Sequence, residues 1–494
     1  MKKIIFWMDS NLIHLFTAKK LKEKIDCEIH AIFDVPNKPK QFLKNQNFIL
    51  FDSIHFYHDN FIDIKSEYDI EFLKKKEEEY GFNFYQTLIN DRHLFNFNDF
   101  YKFKKNQILK ILELEIKFFE KIIDQINPDI LVMNPLFLRA PYVLYLICKS
   151  KGVKILMPIP LKIPGRCIIS DNWNNLGYFS GEYHQENDNF LDKANNEENE
   201  IHLTIREQED SVNSRFLNSK LKMFKALMLY LFSENKNIKT HYTYFGRTKA
   251  SVFKNYFYDY IRVKIRKRFI DKFFLKQLDE KLKIIYFPLH IEQEFTTLVL
   301  SPFYTNQLEL INQISKSIPV DHTLVIKEHP IMNTRSWHSK KFYKEIMKLP
   351  NTVLIHPLMD SNKIIEKSSL VISIRGTASF EAGYYNKPTL VFSNTDYNFL
   401  PHIQKVNSIE ELPDLILKSI NKKITNEAFT SYLNYLKNNS FRHDIDDIAQ
   451  KLSDSIYYGG FLVDVKINQK KILEFYSNNE NIFEIFSVEL IKKI

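Results

Sequence analysis

Residues 370–393 carry the sequence LVISIRGTASFEAGYYNKPTLVFS, which contains one complete unit of strand, turn, helix and strand. The apolar runs LVI and TLVF at its two ends predict buried strands. Between them, Gly376 permits a tight turn, and the small polar residues that follow favour the start of a helix. A strand that passes through a helix into another strand is the repeating unit of a parallel α/β sheet.

The same alternation extends over residues 283–420. The apolar runs KIIYFP, HTLVIK and TVLI predict three further strands, and the amphipathic segments between them predict helices. A last helix is expected over 408–420, with Ser408 as its N-cap and Glu411 completing a capping box. Regular alternation of this kind predicts a parallel, doubly wound sheet.

The first 160 residues show this pattern a second time. The runs KKIIFWM and CEIHAIFD predict two strands with a helix between them, and a long helix is expected over 101–126. A strand ILVM, a helix over 141–151 and a strand VKILMPIP follow. The sequence therefore predicts an α/β protein with two Rossmann-like halves.

Four segments follow from these patterns. Residues 1–180 form the N-terminal Rossmann-like half, and 181–280 combine a polar insertion with basic connector helices. Residues 281–425 form the C-terminal half, and 426–494 are helices expected to pack back on the N-terminal half or against a partner. Within the second segment, residues 183–220 are polar and aperiodic, which indicates an exposed insertion or flexible loop.

The charge balance favours anionic partners. The 494 residues include 69 basic and 60 acidic ones, a net charge of +9, which suits phosphates or acidic lipids. Nucleic acid is not expected, because no nucleic-acid-binding module accompanies the charge. The segment Arg262–Lys272, beside Tyr256, Phe257 and Tyr260, could rest on an anionic membrane, although a solvated basic helix face is the simpler interpretation.

A cytoplasmic location is the simplest interpretation of the apolar segments and cysteines. The apolar N-terminus MKKIIFWMDSNLIHLF is interrupted too early for a signal peptide, and no run reaches the ~18–20 apolar residues of a membrane span. Three widely spaced cysteines fit no disulfide framework and indicate a reducing compartment. Peripheral contact with the inner membrane stays open.

The turn within residues 373–381 is suited to phosphate. It follows a strand and leads directly into a helix, where free backbone N–H groups and the helix dipole attract anions. Gly376 allows close approach of a ligand, Thr377 and Ser379 offer hydroxyls, and Glu381 could accept hydrogen bonds from ribose or sugar hydroxyls. The candidate binding residues of this turn are Ser373, Arg375, Gly376, Thr377, Ala378, Ser379 and Glu381. Taken alone, the pattern also fits an ordinary capped helix.

Two further strand ends carry polar residues in the same half. Lys327, Glu328, His329 and Pro330 follow the strand TLVI, and Lys327 and His329 could contact phosphate or a leaving-group oxygen. After the strand KIIYFP come His290 and Glu294, which could contact donor or acceptor, and Glu294 is also a candidate catalytic residue. Each segment alone could be a plain surface loop. We expect the phosphate-suited turns near His329 and Gly376 to lie at neighbouring strand ends.

The N-terminal half offers weaker candidates. Asp9 and His14 follow the first strand and could act as a catalytic base, while Asp9 could also be a nucleophile or, more simply, cap the first helix. Arg139 and Arg166 could bind an anionic group, with surface arginine as the default.

No metal or other cofactor is predicted. Asp444-Ile445-Asp446 has the form D-x-D, but it stands in the first turn of a predicted helix, where acidic residues are favourable in any case. No zinc-type cluster of His and Cys and no G-x-x-x-x-G-K-[ST] loop occurs in the sequence.

Residues 282–400 resemble a known family. The ordered series FPLHIEQEFTT, YTNQLELI, TLVIKEHP and LPNTVLIHPLMDSNKIIEKSSLVISIRGTASFEAGYYNKPTLVF is similar to the capsule polysaccharide biosynthesis family, which includes β-Kdo transferases. The resemblance implies a GT-B fold with two facing domains, a nucleotide-sugar in the C-terminal one, the acceptor on the N-terminal one and no obligate metal.

The resemblance also implies site residues. His329 and Pro330 match the family's first motif, and Ser373, Thr377 and Ser379 match its second. The His-Pro pair is also similar to that of bacterial sialyltransferases, where it helps to hold the CMP phosphate. Arg375 departs from the smaller residue expected there, which leaves the donor open.

The sequence therefore predicts a metal-independent glycosyltransferase. Its donor would be a nucleotide-sugar, with a CMP-Kdo-like donor favoured, and its acceptor a surface or capsular polysaccharide or a lipid-linked glycan. The alternatives are a polyol-phosphate transferase of the CDP-glycerol type, a sugar-nucleotide epimerase, and a non-catalytic protein that binds glycan or nucleotide.

Overall fold

The computed structural model describes residues 1–95, 97–135, 138–172, 220–292, 294–329, 338–425 and 427–494. Within these ranges the chain forms two mainly parallel β-sheets with helices packed around them. The predicted α/β fold class, with two Rossmann-like halves, is thereby confirmed.

The strands are β1 Lys2–Asp9, β2 Cys27–Asp34, β3 Ser53–Phe56, β4 Ile130–Val132, β5 Lys154–Pro160, β6 Arg166–Ser170, β7 Lys283–Pro288, β8 His322–Lys327, β9 Thr352–Ile355, β10 Ser368–Ser373, β11 Thr389–Val391, β12 Ile403–Lys405 and β13 Phe441–Arg442. The helices are α1 Ile13–Lys24, α2 Asn37–Asn45, α3 Ile70–Tyr80, α4 Tyr85–Leu88, α5 Lys105–Ile126, α6 Arg139–Ser150, α7 Lys220–Phe232, α8 Asn237–Thr240, α9 Lys249–Phe273, α10 Phe295–Leu298, α11 Gln307–Ser317, α12 Lys340–Met347, α13 Ser361–Lys367, α14 Thr377–Glu381, α15 Leu412–Ile420, α16 Glu427–Asn438, α17 Ile445–Ile456, α18 Gln469–Asn478 and α19 Glu480–Ile491. Short 3-10 turns cover Tyr57–Asn60, Tyr242–Tyr244 and Ala382–Tyr385.

The first sheet has the order β13-β6-β5-β4-β1-β2-β3. Its strands β5, β4, β1, β2 and β3 run parallel, while β6 and β13 are antiparallel additions at one side. Alternate residues of β1 enter different cores: Phe6 packs with Phe16, whereas Trp7 packs with Phe119 on the other face. A strand buried on both faces explains why KIIFWM is apolar throughout.

The second sheet has the order β12-β11-β10-β7-β8-β9, and all its strands are parallel. β7 lies between β10 and β8, so its C-terminal end at Pro288 separates the ends at Ser373 and Lys327. The expectation that the two phosphate-suited turns follow neighbouring strands is therefore wrong. Because the strands are parallel, all three ends still meet at one edge.

Most of the C-terminal tail lies against the first sheet, whereas its first helix, α16, also packs with Phe380 and Tyr397 of the second half. β13 pairs with β6, and helices α17 to α19 cover the face that carries Phe6. The tail residues buried there include Ile448, Leu452, Phe475, Phe483, Phe486 and Leu490. The predicted polar insertion at 183–220 lies outside the described residues, apart from Lys220, which begins α7.

The helix predicted over 408–420 begins later than expected. α15 starts at Leu412, and Ser408 is not its N-cap. The Glu411 carboxylate accepts hydrogen bonds from the backbone N–H groups of Asn407 and Ser408, at 2.5 and 2.9 Å. The bond to Ser408 is one half of the predicted capping box, but Glu411 itself is the N-cap of α15, so the predicted helix start at Ser408 was wrong.

Candidate active site at the facing sheet edges

The loop after β7 is locked against its neighbours. The backbone N–H of His290 donates to Gln307 Oε1 at 2.7 Å, and Gln307 Nε2 donates back to the His290 carbonyl at 2.9 Å. On the other side, the backbone N–H of Arg375 donates to His290 Nε2 at 3.4 Å. A Cβ atom at Gly376 would lie only 2.9 Å from His290 Nε2. The turn after β10 therefore depends on glycine to meet His290 this closely.

His329, after β8, lies near enough to His290 for their charges to interact. Burial, helped by the nearby His329, lowers the pKa of His290 to about 3. Burial also lowers the pKa of His329 to about 4, with Glu328 opposing the shift and Lys327 adding to it. Both imidazoles are therefore neutral near pH 7. Because Nε2 of His290 accepts from Arg375, its proton is on Nδ1, whereas His329 can offer one N–H to a ligand oxygen.

Lys162 brings a charge from the other sheet. It lies in the loop after β5 of the first sheet, yet its pKa is lowered by burial and by Arg375, with Asp396 and Glu381 acting in the opposite direction. No hydrogen bond or ion pair holds its ammonium group among the described residues. Leu161 and Ile163, on either side of Lys162, pack with Phe380 and Tyr397 of the second half, so these two strand-end edges lie against each other.

Arg375 is the second cation of this region. Its side chain is mostly buried, and Nη1 donates to the carbonyl of Asn394. Burial lowers the pKa of its guanidinium, while Asp396 and Tyr397 counteract the shift. The cleft edge thus combines two cations with the carboxylates of Asp396 and Glu381.

The serines of the turn bind the turn itself. Ser379 Oγ donates to the Gly376 carbonyl at 2.6 Å and lies 2.8 Å from the Tyr397 hydroxyl, which reaches the same carbonyl at 3.0 Å. Ser373 Oγ accepts from the Gly376 N–H at 3.3 Å. These hydroxyls fix the turn's shape, whereas Thr377 is exposed. α14 has only five residues, so its dipole contributes little.

Ala378 and Glu381 differ in what they contact. Ala378 packs in the apolar cluster beside β7 and β10. Glu381 is buried and interacts electrostatically with Lys162.

The loop after β8 is anchored from inside. Lys327 Nζ donates to Ser361 Oγ, and the buried Glu328 carboxylate accepts from the Tyr343 hydroxyl at 2.6 Å. His338 Nδ1 donates to Glu328 at 2.7 Å, and its Nε2 donates to Glu292 at 3.1 Å. Glu328 therefore faces the interior, contrary to its expected role at the ligand. Pro330 lies outside the described residues.

His338 is charged at neutral pH. Burial acts to lower its pKa, but the Glu328 carboxylate and the bond to Glu292 prevail and raise the pKa to about 10. For Glu328, burial acts to raise the pKa, and the charge and hydrogen bond of His338 bring it below its usual value. This pair links the loops after β7 and β8 and holds His329 at the edge.

Asp9 ends β1 on the same edge of the first sheet as the Lys162 loop. Its carboxylate is half-buried, accepts from the Asn11 N–H at 2.9 Å and has Asn134 Nδ2 at 3.5 Å. Burial, with Asp34 nearby, raises the pKa of Asp9 to about 6. It does not cap α1, because the N-cap position is Leu12, with φ of 54° and no side-chain cap. The expected capping role is therefore wrong.

His14 lies in the core, not at the edge. Its Nδ1 is 2.9 Å from the Trp7 carbonyl, its ring stacks on Phe486, and burial lowers its pKa to about 4. The prediction of His14 as a base at the cleft is contradicted by this burial.

The two arginines expected at the cleft have internal partners. Arg139 Nε donates to Asp91 Oδ2 at 2.9 Å and Nη1 donates to Glu115, within the first half. Arg166 Nε donates to Ser440 Oγ at 2.7 Å and ties β6 to the tail. Both guanidiniums are therefore engaged by the protein. Glu294 is exposed, and its carbonyl accepts from the N–H groups of α10, including that of Leu298 at 2.9 Å.

Two residues of the site were missed by the sequence analysis. Lys162 had one available signal, because it directly follows the predicted strand VKILMPIP. For His338 the sequence contained no such signal. Its partner Glu292 is distant in sequence, and only the fold shows that Glu328 points inward.

Neither metal ligation nor membrane spanning is indicated in the described parts of the chain. Asp444 of the D-x-D sequence caps α17 by accepting from the Asp447 N–H at 2.9 Å. Over the residues that the structure covers, no group of three or more His, Cys, Asp or Glu side chains is arranged for a metal ion. In the same ranges no helix has the length and apolarity to cross a membrane.

Comparisons with known structures show only remote likenesses. KpsC of Thermosulfurimonas dismutans, a beta Kdo 2,7 transferase, is 12% identical, with a TM-score of 0.33, over 64% of this chain and 79% of that chain. UDP-GlcNAc 2-epimerase of Methanocaldococcus jannaschii is 12% identical, with a TM-score of 0.27, over 89% of this chain and 100% of that chain. The trehalose-6-phosphate phosphatase N-terminal domain of Candida albicans is 12% identical, with a TM-score of 0.31, over 92% of this chain and 96% of that chain.

The sequence comparisons find one family model that matches a little under half of the chain. No curated protein matches the chain. A family model described as "Capsule polysaccharide biosynthesis protein" matches residues 187–408, which include β7 to β12 and the loops that carry His290, His329 and Gly376. The resemblance predicted from the strand-end motifs is thus confirmed: residues 187–408 of this chain are similar to the capsule polysaccharide biosynthesis family.

Proposed function

We propose that this protein is a glycosyltransferase that transfers a sugar from a nucleotide-sugar to a surface or capsular polysaccharide or a lipid-linked glycan. One observation carries the proposal: the loop that carries Lys162 packs, through Leu161 and Ile163, against the second half beside Arg375 and Glu381. Where the strand-end edges of two α/β halves lie against each other, a donor held by one half can meet an acceptor held by the other. The family match over the donor-side loops supports the same assignment.

The donor phosphate would lie among Lys162, Arg375, His290 and His329. Negative charge develops on the leaving phosphate as the glycosidic bond breaks, and fixed cations and N–H donors stabilise that charge. Glu381 and Asp396 sit beside the cations and can accept hydrogen bonds from ribose or sugar hydroxyls. We favour a CMP-Kdo-like donor, whose phosphate and carboxylate would each find a cation here.

Asp9 is the base in this proposal. It would take the proton of the acceptor hydroxyl while the hydroxyl oxygen bonds to the anomeric carbon and the electron pair of the broken bond passes to the phosphate. Its pKa of about 6 leaves it ionised at neutral pH yet more basic than an ordinary carboxylate. Since the basic side chains stabilise the leaving group, we expect transfer to proceed in the presence of a chelator.

The cytoplasm is the proposed location. All three cysteines, Cys27, Cys148 and Cys167, are free and buried. Burial raises the pKa of the Cys148 thiol to about 12, so it is protected from reaction, and nothing about these thiols calls for an oxidising compartment.

A thermal-shift screen with CMP, CDP, UDP and GDP tests the proposal. CMP should raise the unfolding temperature most, since a ligand at 100 times its Kd contributes ~2.7 kcal/mol. Lys162→Gln should weaken that binding by about tenfold, the effect of losing one charged hydrogen bond. Lys154→Gln, at the opposite, exposed end of β5, is the matched control and should bind as the parent does.

The screen and a donor-turnover assay also separate the alternatives. Stabilisation by CDP would favour a polyol-phosphate donor, and conversion of a UDP-sugar without acceptor would indicate an epimerase. Nucleotide binding without any turnover would indicate a binding protein. If no nucleotide stabilises the protein, or if Lys162→Gln binds as the parent does, the proposed site is wrong.

A further inference from the structure

Helices α7 and α9 expose large apolar side chains to an unusual extent. Ala226 is the one buried residue described in α7, and the rings of Phe224 and Phe232 are 57% and 82% exposed. Further exposed apolar or aromatic residues of the two helices are Leu221, Met223, Leu227, Met228, Leu229, Leu231, Phe253, Tyr256, Phe257, Tyr258, Tyr260, Ile261, Ile265 and Phe273. A patch of this size marks an interaction surface.

The same two helices carry the protein's excess charge. α7 and α9 contain eleven basic and two acidic residues, an excess of nine. The whole chain has 69 basic and 60 acidic residues, so its net charge of +9 equals the excess on these helices and the remaining residues balance. A localised positive charge of this kind attracts an anionic surface.

The helices form one surface that is fixed to the folded body. Lys249 Nζ of α9 donates to the Leu231 carbonyl of α7 at 2.5 Å. Phe269 and Ile270 at the end of α9 are buried in the core of the second sheet, and Lys222 of α7 pairs with Asp454 of α17. An object that binds this surface is therefore held at a defined orientation to both halves.

We propose that α7 and α9 form a membrane-docking surface for a bilayer that contains anionic phospholipid. α7 has 13 residues and a length of ~20 Å, which is too short to cross a hydrocarbon core of ~30 Å. Its lysines Lys220, Lys222 and Lys225 precede an apolar run over 226–232. Such a helix suits the interface, with apolar side chains among the acyl chains and lysines at the headgroups.

The basic side chains of α9 would contact the lipid phosphates, while its tyrosines lie at headgroup depth. A second copy of the chain is a poorer occupant, because it would place two surfaces of equal positive charge against each other. The proposal is independent of the nucleotide site and uses none of its residues.

Vesicle co-sedimentation of the full chain tests the proposal. We expect binding to vesicles of phosphatidylcholine with phosphatidylglycerol and little binding to phosphatidylcholine alone. The triple variant Lys264→Gln, Lys267→Gln and Arg268→Gln should lower the partition coefficient by roughly 100-fold, since each basic residue near an anionic surface contributes about fivefold. The control variant Lys65→Gln, Lys74→Gln and Lys75→Gln loses the same charge from other exposed positions and should bind normally.

A second variant examines insertion. Leu221→Gln, Phe224→Gln and Phe232→Gln alter exposed side chains, so folding is retained. This variant should still bind anionic vesicles at low salt but should lose the binding that the parent keeps at high salt, because charge attraction is screened and insertion is not. CMP binding, followed by thermal shift, should be unchanged in all three variants.

Three outcomes would overturn the inference: equal binding to both vesicle types, loss of binding in the Lys65 control set, or no binding at all. A dimer in light scattering that the Leu221 variant abolishes would assign the surface to a second copy instead. None of these results would affect the nucleotide site, so the two proposals fail separately.

Discussion

Burial is the main cause of the shifted pKa values of Asp9 and His14. Asp9, the last residue of β1, and His14, five positions later, lie close in sequence, yet Asp9 is at the sheet edge and His14 is in the core. The sequence predicted both as candidate bases because it shows which groups can take a proton, not where the side chains point. The raised pKa of Asp9 and the lowered pKa of His14 have the same cause, since burial favours the neutral form of each.

The protonation of Asp9 should determine how kcat/KM falls at acidic pH. With a pKa of about 6, its carboxylate is ionised above pH 6 and protonated below it, so kcat/KM should fall about tenfold per pH unit below that point. Asp9→Asn should reduce the rate by roughly 10²–10⁴-fold and remove this limb, while CMP binding persists. Initial rates across the pH range measure both effects.

The exposed Asp26, which precedes β2 at the opposite edge, provides the control: Asp26→Asn should leave rate and pH profile unchanged. If kcat/KM of Asp9→Asn still fell below pH 6 as in the parent, another group would be the base.

At the scale of elements, the longer buried strands could be predicted, because each contains an apolar run. The short strands β3, β6, β12 and β13, with sequences such as SIHF and IQK, have no such run and were not predicted. The exact starts were less predictable. α15 begins four residues after the predicted N-cap because Glu411 bonds to the backbone before the helix. Strand neighbours were also out of reach, since β7 lies between β10 and β8 only through long-range pairing.

Gly376→Ala should disturb the donor side of the cleft. The added methyl group would lie 2.9 Å from His290 Nε2, so the turn or the imidazole must move. A displacement near 1 Å can lower a rate by up to about 100-fold, and we expect a loss in this range with a nearly normal unfolding temperature. Turnover assays and thermal unfolding measure the two quantities.

The double variant Gly376→Ala with His290→Ala tests the cause. Because His290→Ala removes the atom that the new methyl group meets, the two changes should cost less together than the sum of their separate effects. Strict additivity would show that Gly376 acts in some other way.

At the scale of the molecule, the existence of two halves could be predicted from the sequence, but the contacts between them could not. Lys162 belongs by sequence to the first half, and its interactions are with Arg375, Asp396 and Glu381 of the second. Contacts between distant segments leave no periodic signal in either one. For the same reason, Arg139 and Arg166 were expected at the cleft, whereas their partners Asp91, Glu115 and Ser440 hold them elsewhere.

The tail should contribute strongly to the stability of the first half. Phe486 of α19 is fully buried against the His14 and His443 rings. Phe486→Ala should lower the free energy of unfolding by about 3–5 kcal/mol, as large-to-small core changes do. Val488→Ala on the same helix, 37% exposed, should change it by less than about 0.5 kcal/mol. Chemical denaturation followed by far-ultraviolet circular dichroism compares them, and equal midpoints would mean that the tail packs loosely.

Because β13 and helices α17 to α19 complete the first sheet and one of its cores, the first half depends on the last 54 residues of the chain. A ribosome adds about 5–20 residues per second, so the opening strands wait many seconds for the segment that covers them. During that interval α1 already packs near Phe6, but the side chains of the tail that complete this core are missing. The second half, whose strands are contiguous between Lys283 and Lys405, can close its own sheet before the first half does, which reverses the usual order of folding from the N-terminus.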